Sequence, residues 1–333
     1  MAESINITSL NKEILAGSKV ALAKGITLIE SNKAEHRAMA DELINSILPY
    51  SGKSLRIGIT GVPGVGKSTF IEALGLDLIE KHNKKVAVLA IDPSSSISGG
   101  SILGDKTRMN ILSQKQEAFI RPSPSRGFLG GVANHTRESI VLCEAAGFEY
   151  VLVETVGVGQ SEIAVASMVD VFVLLMLPGA GDELQGIKRG IMEMADIVII
   201  NKAEGALLDK AKEAAKNYQM ALHFFPEKNN KWITRVVLAS ALKREGIDKT
   251  ISTLEKFRTE NTDNGSIQTT RIHQNLSSFN QFVQGMVGLV IQEQKALFEL
   301  KNELESKIKI GEINPYDAAS ILVNKLKAII KIT

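Results

Sequence analysis

The segment GVPGVGKST, residues 61–69, follows the short apolar stretch RIGIT and decides which fold this chain can adopt. It matches G-x-x-x-x-G-K-[ST], a loop whose backbone N–H groups surround phosphate groups. The helical stretch FIEALGLDLIEKH comes next, so the motif has the strand before it and the helix after it that it requires. A chance glycine-rich turn is the alternative. The predicted phosphate-binding residues are Gly61, Val62, Pro63, Gly64, Val65, Gly66, Lys67, Ser68 and Thr69.

Short apolar runs alternate with helical stretches from residue 56 onward. These runs are RIGIT, VAVLAID, EYVLVET, VFVLLML, DIVIIN and RVVLAS. Continuous apolar strands separated by helices are typical of a parallel sheet that is covered on both faces. We therefore predict an α/β fold, in which a P-loop domain with a mainly parallel central sheet carries helical extensions at both ends.

The sequence on either side of these runs is predicted to be helical. The predicted parts are an N-terminal helical extension (1–50), the P-loop domain (51–262) and a C-terminal helical arm (263–333). Before the first strand, one helical face carries Met39, Leu43, Ile47 and Leu48, and Pro49 ends the run. NTDNGS, residues 261–266, is polar and typical of a linker. An apolar stripe follows it at Ile272, Leu276, Phe279, Val283 and Met286, and a last helix is predicted to start at Asn314 with Pro315 in its first turn.

The composition argues against a nucleic-acid-binding, disulfide-rich or membrane-spanning protein. The 333 residues are 44% hydrophobic and carry a formal net charge of +2, so no strong field attracts nucleic acid or an anionic membrane. The single cysteine, Cys143, cannot form a disulfide within the chain. No apolar run approaches the roughly 20 residues of a membrane span, and the N-terminus has no signal or transit pattern. We expect a cytoplasmic protein that binds neither nucleic acid nor membranes.

Carboxylates at two strand ends point to a metal site. In this type of loop Lys67 reaches the β- and γ-phosphates and Ser68 ligates magnesium. Asp92 ends the run VAVLAID, and Glu154 lies near the end of EYVLVET. Both side chains should therefore lie at the carboxyl edge of the sheet, where Glu154 can position a metal or a water molecule. Solvated acids at the ends of surface strands are the alternative.

Two short motifs predict which base is bound. Asn201-Lys202-Ala203-Glu204 follows the run DIVII and resembles N-K-x-D, in which a carboxylate accepts the guanine N1–H and N2–H groups. Here glutamate replaces aspartate, which keeps the charge and lengthens the reach by one methylene. Ser240-Ala241-Leu242 follows RVVLAS in the position of the turn whose backbone N–H contacts guanine O6. We predict that Asn201, Lys202, Glu204, Ser240, Ala241 and Leu242 bind guanine, the alternative being an ordinary surface turn.

With these motifs, the chain resembles a known family, the methylmalonyl-CoA mutase-associated GTPases of the MeaB/ArgK type. The matching blocks are GITGVPGVGKSTFIEALG, AIDPSSSISGGSILGDKTRM, FIRPSPSRGFLGG, VLVETVGVGQSE, LPGAGDELQGIKRGIMEMAD and NPYDAAS. The resemblance implies a magnesium-dependent, homodimeric GTPase that hydrolyses GTP to GDP. It also implies a chaperone of an adenosylcobalamin-dependent acyl-CoA mutase, which gates cofactor loading and protects the mutase from inactivation.

The resemblance also implies roles for individual residues. Asp92 and Asp105 match acidic residues around the magnesium ion of the family, and Glu154 matches a water-orienting position. The stretch 92–108, rich in Ser and Gly, has the character of a nucleotide-sensing switch. A plain flexible connection is the alternative.

A further loop, LPGAGDELQGIKRG at 177–190, is predicted to take part in catalysis. Gly157 is followed by Val158, whereas many small GTPases place a water-orienting glutamine at that position, so hydrolysis by the isolated protein should be slow. We expect the bound mutase to reorder the loop and to bring Gln185 and Lys188 toward the nucleotide. An ordinary connecting loop with solvated charges is the alternative.

Three other functions compete with a mutase chaperone. A nickel metallochaperone needs clustered soft or imidazole ligands, and this chain has one cysteine and five dispersed histidines. A P-loop small-molecule kinase would transfer phosphate to a bound substrate. A nucleotide-binding scaffold would bind a nucleotide without hydrolysing it.

Overall fold

The computed structural model describes residues 6–31, 33–92, 109–124, 129–155, 161–179, 189–228 and 230–330. Seven parallel strands form one sheet in the order β3-β2-β4-β1-β5-β6-β7. They are β1 (Leu55–Gly61), β2 (Val86–Asp92), β3 (Ala118–Pro124), β4 (Tyr150–Thr155), β5 (Val171–Met176), β6 (Ile197–Ile200) and β7 (Arg235–Leu238). The α/β prediction is confirmed, and β1, which leads into the phosphate loop, lies inside the sheet between β4 and β5.

Helices precede, separate and follow these strands along the chain. Those in the described residues are α1 (Ile7–Leu15), α2 (Lys19–Ile29), α3 (Ala34–Ile47), α4 (Lys67–Glu80), α5 (Asn110–Ser113), α6 (Leu129–Ala145), α7 (Ser161–Ala166), α8 (Arg189–Met194), α9 (Leu208–Leu222), α10 (Ile247–Asp263), α11 (Ser266–Glu293), α12 (Lys295–Lys309) and α13 (Pro315–Ile330). Side-chain caps fix two of the N-terminal starts, where Asn6 accepts from the backbone of Ser9 and Ser18 from that of Ala21. Among the described residues, no helix combines the length and apolarity that a membrane span requires.

The alternation of side chains along the strands divides the core between the two faces of the sheet. On one face, Ile57, Ile59 and Leu152 pack with buried side chains of α4 and α10. On the other face, Val151 and Val153 pack with α1, α2, α3 and α6. The N-terminal helices therefore cover the sheet directly and complete its core.

The predicted N-terminal face differs from the structure at one position. Leu43 and Ile47 are fully buried, whereas Leu48 is 52% exposed. Leu48 starts a short 3₁₀ turn that ends at Tyr50, and the change of helical pitch turns its side chain away from the buried face.

The edge strand β3 was missing from the predicted strands. Its sequence, AFIRPSP, is interrupted by Arg121 and two prolines and has no continuous apolar run. Prolines cannot donate to a neighbouring strand, so they are tolerated at a sheet edge, and β3 pairs in the described sheet with β2 alone. Lys19 of α2 covers part of this edge, where its ammonium donates to the carbonyls of Lys115 and Ala118 at 3.1 Å.

The polar stretch predicted to be a linker is largely helical. α10 continues to Asp263, and only Asn264 and Gly265 separate it from α11. Asn261 is buried, and its side-chain amide donates to the carbonyl of Phe257 one turn earlier. Because this N–H group is paired with the backbone of its own helix, the polar side chain does not interrupt the helix.

Two compact units divide the chain between Ile272 and His273, within α11 and later than the predicted boundary at 262. In the second unit, α12 and α13 pack together and bury Leu297, Leu304 and Ala318. Asn314 caps α13 by accepting from the backbone of Asp317 at 2.9 Å, as predicted.

An ion-pair cluster in the first unit holds the first turns of α11. Arg271 donates to both carboxylate oxygens of Asp170, at 2.7 and 2.6 Å, and to the carbonyls of Gly52 and Ser54. The Asp170 side chain is fully buried. The Arg271 guanidinium thus compensates a buried charge just before β5 and connects α11 to the chain entering β1.

We expect Arg271→Ala to lower the free energy of unfolding by about 3–5 kcal/mol, because it leaves the Asp170 carboxylate buried without its ion partner. Urea unfolding followed by circular dichroism measures this. Arg258→Ala is the control, since the partly exposed Arg258 donates an exposed hydrogen bond to the carbonyl of Lys53. Equal losses in the two variants would contradict this account of the cluster.

Candidate nucleotide-binding site

The phosphate loop lies between the end of β1 at Gly61 and the start of α4 at Lys67. A Cβ atom at position 61 would lie 2.5 Å from the carbonyl oxygen of Leu175, so only glycine allows β1 to turn here against β5. The loop carries the chain from the carboxyl edge of the sheet to the N-terminus of α4, where free backbone N–H groups favour an anion.

Lys67 curls back over this loop. Its ammonium donates to the carbonyls of Gly61 at 2.8 Å and Val62 at 3.4 Å. Burial lowers the pKa of Lys67, while the carboxylates of Glu154 and Glu162 act in the opposite direction. The lysine therefore presents its positive charge inside the loop and close to two acids.

The predicted metal ligands Ser68 and Glu154 come together at the start of α4. The hydroxyl of Ser68 donates to the carboxylate of Glu154 at 3.3 Å, and Glu154 is 3% exposed. A hydroxyl and a carboxylate are the oxygen ligands that magnesium uses beside nucleotide phosphates, so these residues fit the ion. Within the described ranges, no group of three His, Cys, Asp or Glu side chains could hold a metal by itself, which is compatible with an ion completed by phosphate oxygens.

The remaining predicted metal and catalytic residues are less completely described. Asp92 is the last residue of β2, at the same edge of the sheet, but its side chain lies outside the described part of the chain. Asp105, Gln185 and Lys188 also lie outside the described residues. Their roles stay predictions.

The Asn201 side chain joins the phosphate loop to the turn after β7. Its amide nitrogen donates to the carbonyl of Val65 at 2.8 Å, and its amide oxygen accepts from the backbone of Ala241 at 3.1 Å. Asn201 is 1% exposed, so both hydrogen bonds are shielded from water. Lys202 adds a second tie, from its ammonium to the carbonyl of Gly64 at 2.8 Å.

Ser240 holds the carboxylate that replaces the usual aspartate. Its hydroxyl donates to one oxygen of Glu204 and accepts from the backbone N–H of Lys243 at 3.1 Å. Because Ser240 is buried, the longer glutamate side chain has a fixed anchor. The third residue of the turn, Leu242, is 76% exposed.

The sequence reasoning missed two groups near this site. Arg244 follows the turn after β7 and pairs with Asp77 of α4 at 2.8 Å, although the Asp77 side chain is fully buried. The signal for this pair in the sequence was Asp77, a charged residue inside the largely apolar helical stretch FIEALGLDLIE. Glu162, in the first turn of α7, is 1% exposed. It stands in the quoted block VLVETVGVGQSE, but its chain position alone gave no reason to expect burial.

The chain is similar to several known proteins. The model of the family described as "Methylmalonyl Co-A mutase-associated GTPase MeaB" matches residues 22–296. A "Putative GTPase" of Caulobacter vibrioides is 46% identical over 97% of this chain and 98% of its own length. "GTPase ArgK" of Escherichia coli is 48% identical over 83% of this chain and 81% of its own length.

One animal protein and one solved structure extend the similarity. The "Methylmalonic aciduria type A homolog, mitochondrial" of Mus musculus is 42% identical over 95% of this chain and 78% of its own length. The solved structure is named "LAO/AO transport system kinase". It is 35% identical, covers 98% of this chain and 100% of its own, and superposes with a TM-score of 0.78.

We expect Glu204→Ala to weaken GDP binding by about 1–3 kcal/mol, or roughly 5- to 150-fold, because donors of the base edge lose their acceptor. Isothermal titration calorimetry with GDP and ADP measures this. Glu213→Ala is the control, since Glu213 is an exposed carboxylate on α9. Equal affinity of the unaltered protein for GDP and ADP would refute the guanine assignment.

Proposed function

The chain belongs to the MeaB family of methylmalonyl-CoA mutase-associated GTPases, and from this we propose that it is a magnesium-dependent GTPase that acts as a chaperone of an adenosylcobalamin-dependent acyl-CoA mutase. In this role it gates cofactor loading of a methylmalonyl-CoA mutase-type enzyme and protects that enzyme from inactivation. The relatives named for methylmalonic aciduria type A support a partner of this kind. We also propose a cytoplasmic location.

The observation that carries the GTPase proposal is the buried bridge from Asn201 to the phosphate loop and to the base-binding turn. It holds Glu204 and Ser240 beside the loop, so that one ligand with a guanine base and a phosphate chain can contact both. A nucleotide-binding site that ignored the base would not need this bridge.

The positions of Lys67, Ser68 and Glu154 around the phosphate loop suggest how GTP would be hydrolysed. Lys67 exchanges the carbonyls of Gly61 and Val62 for the β- and γ-phosphates and places its charge where the transition state is most negative. Magnesium would be held by the hydroxyl of Ser68 and the carboxylates of two strand-end residues, Asp92 and Glu154. The ion would neutralise negative charge on the phosphates. Glu154 orients the attacking water from a buried position fixed by the Ser68 hydroxyl.

A kinase is a second candidate, because the solved relative is named a transport system kinase. A kinase would pass the γ-phosphate to a second substrate. A nickel metallochaperone gains no support, since Cys143 is buried and burial raises the pKa of its thiol far above the usual range. Such a thiol is a poor metal ligand.

The proposed function predicts that the isolated protein hydrolyses GTP slowly and that added methylmalonyl-CoA mutase accelerates this hydrolysis. Glu154→Gln should still bind GDP but hydrolyse GTP on the order of a hundredfold more slowly, because the water loses its orienting carboxylate. Single-turnover phosphate release, with and without mutase, measures both effects. Glu193→Gln, an exposed carboxylate of α8, is the control and should behave as the unaltered protein.

Phosphate that appears on an added small molecule or protein, in place of free phosphate, would favour the kinase. Hydrolysis that the mutase leaves unchanged would contradict the chaperone proposal. A Glu154→Gln variant with unchanged turnover would remove Glu154 from the catalytic residues.

We further propose that the second unit mediates homodimerisation. Its part of α11 exposes large apolar side chains, among them Leu276 (56%), Phe279 (61%) and Met286 (64%). Apolar side chains that recur along one helix in this way usually mark a protein interface.

We expect Phe279→Glu combined with Met286→Glu to convert a dimer into a monomer, because two charges would be buried in the interface. Light scattering of the full-length chain at micromolar concentration gives the mass. The control is Gln281→Glu, at an exposed polar position of the same helix. A monomeric unaltered protein, or a double variant that stays dimeric, would contradict the proposed interface.

A further inference from the structure

An arginine in the turn after β7 has a backbone conformation that suits glycine or asparagine better. Arg244 has a φ of +56°, which lies in the left-handed region. A residue persists in this region only where its surroundings hold it, and such residues are frequent around ligand sites. The side-chain contacts of Arg244 identify what holds it.

The guanidinium of Arg244 binds two carboxylates of α4. Its Nε donates to Oδ1 of Asp77 at 2.8 Å, and a terminal nitrogen donates to the same oxygen and also, at 2.8 Å, to Glu80. Oδ2 of Asp77 accepts from Lys81 of the same helix at 2.7 Å. The fully buried Asp77 carboxylate therefore receives one cation from α4 itself and a second from the turn.

This ion pair ties the turn to the helix that begins at the phosphate loop. α4 starts at Lys67, and Asp77 lies roughly 15 Å further along the helix axis. A second anchor comes from Asn201, which follows β6 and accepts from the backbone of Ala241 at 3.1 Å. The turn is thus held at two points, by an amide after β6 and by an ion pair on α4.

All but one of the backbone N–H groups in the turn 240–245, which lies wholly in the described part of the chain, have an acceptor within the protein. The acceptors belong to the turn itself or to Asn201. The donors concerned are Ser240, Ala241, Lys243, Arg244 and Glu245. The exception is the N–H group of Leu242, a residue that is 76% exposed. The turn therefore offers one backbone donor to a ligand.

A backbone donor at this turn can distinguish the two purine bases. Guanine carries an oxygen at C6, which accepts a hydrogen bond, whereas adenine carries an amino group there, which donates. A site that pairs an N–H group with this oxygen binds adenine poorly, because two donors would face each other. The discrimination requires that the N–H group keep its position, since hydrogen bonds weaken steeply when their angle is poor.

We propose that Arg244 is a positioning residue for base recognition, which holds the turn through Asp77 so that the N–H group of Leu242 meets guanine O6; this inference rests on the proposed function. The anchor lies two residues after the donor and limits how far the exposed part of the turn can move. The cost of the left-handed conformation is offset by the charge that Arg244 supplies to the buried carboxylate of Asp77.

The test compares the affinities of the protein for GDP and ADP by calorimetry. We expect Arg244→Asn to bind GDP about tenfold more weakly than the unaltered protein and to change ADP affinity by less than about threefold. Asparagine tolerates the left-handed conformation, so this change removes the guanidinium without adding backbone strain. Arg244→Lys, which keeps a cation on a long side chain, should bind GDP within about threefold of the unaltered protein.

Lys81→Ala is the matched control, because it takes the other cation from the same carboxylate. The hydrogen bonds of the Lys81 ammonium go to Asp77 and Asp248, which both lie outside the turn 240–245. The variant should therefore keep the ratio of GDP affinity to ADP affinity. Circular dichroism verifies the fold of each variant.

An unchanged ratio in Arg244→Asn would overturn the proposal and leave the guanine assignment standing. An equal loss of ratio in Lys81→Ala, or an equal weakening of both nucleotides in Arg244→Asn, would also overturn it. If Arg244→Asn does not fold, Arg244→Gly, which suits the same backbone conformation, must show the lowered ratio. Equal affinity of the unaltered protein for GDP and ADP would refute the guanine assignment, and the role of Arg244 with it.

Discussion

Two hydrogen bonds from one buried amide fix the geometry on which the candidate site depends. Asn201 follows β6, yet it holds the carbonyl of Val65 after β1 and the backbone N–H of Ala241 after β7. One buried side chain thereby links the chain at the ends of three strands, β1, β6 and β7. A nucleotide can span only a limited distance between its base and its phosphates, so a defined spacing of these strand ends suits a ligand that is bound at both ends.

Serine hydroxyls orient the carboxylates at both ends of this arrangement. Ser68 donates to Glu154 beside the phosphate loop, and Ser240 donates to Glu204 beside the turn that is predicted to bind the base. A carboxylate on a long side chain loses rotamer freedom when it is held, and a short hydroxyl with a fixed backbone supplies that restraint cheaply. The restraint at Ser240 explains how glutamate can stand where related motifs carry aspartate. The added methylene is accommodated by an anchor that limits where the carboxylate can lie.

Local patterns in the sequence were enough to predict the strands of the core and the loop that follows β1, and they also supplied the base motifs, whose ligand stays a prediction. Each of these depends on residues close together in the chain, such as the apolar run of β1 and the loop that follows it. β3 was missed because an edge strand needs no continuous apolar run, and Asn261 was misjudged because its partner is the backbone of its own helix. The pairs Asp77–Arg244 and Asp170–Arg271 join residues more than a hundred positions apart. The hydrophobic periodicity of the sequence does not predict such pairs, because their members come together only when the chain folds.

The division between Ile272 and His273 has an evolutionary consequence. All described residues of the nucleotide site precede it, and so does Arg271, which ties the beginning of α11 to the sheet. Substitutions from His273 onward therefore leave every described residue of the candidate nucleotide site unaltered. If the second unit forms the proposed interface, a lineage could change that interface through substitutions in the second unit alone, while the described residues of the nucleotide site stayed the same.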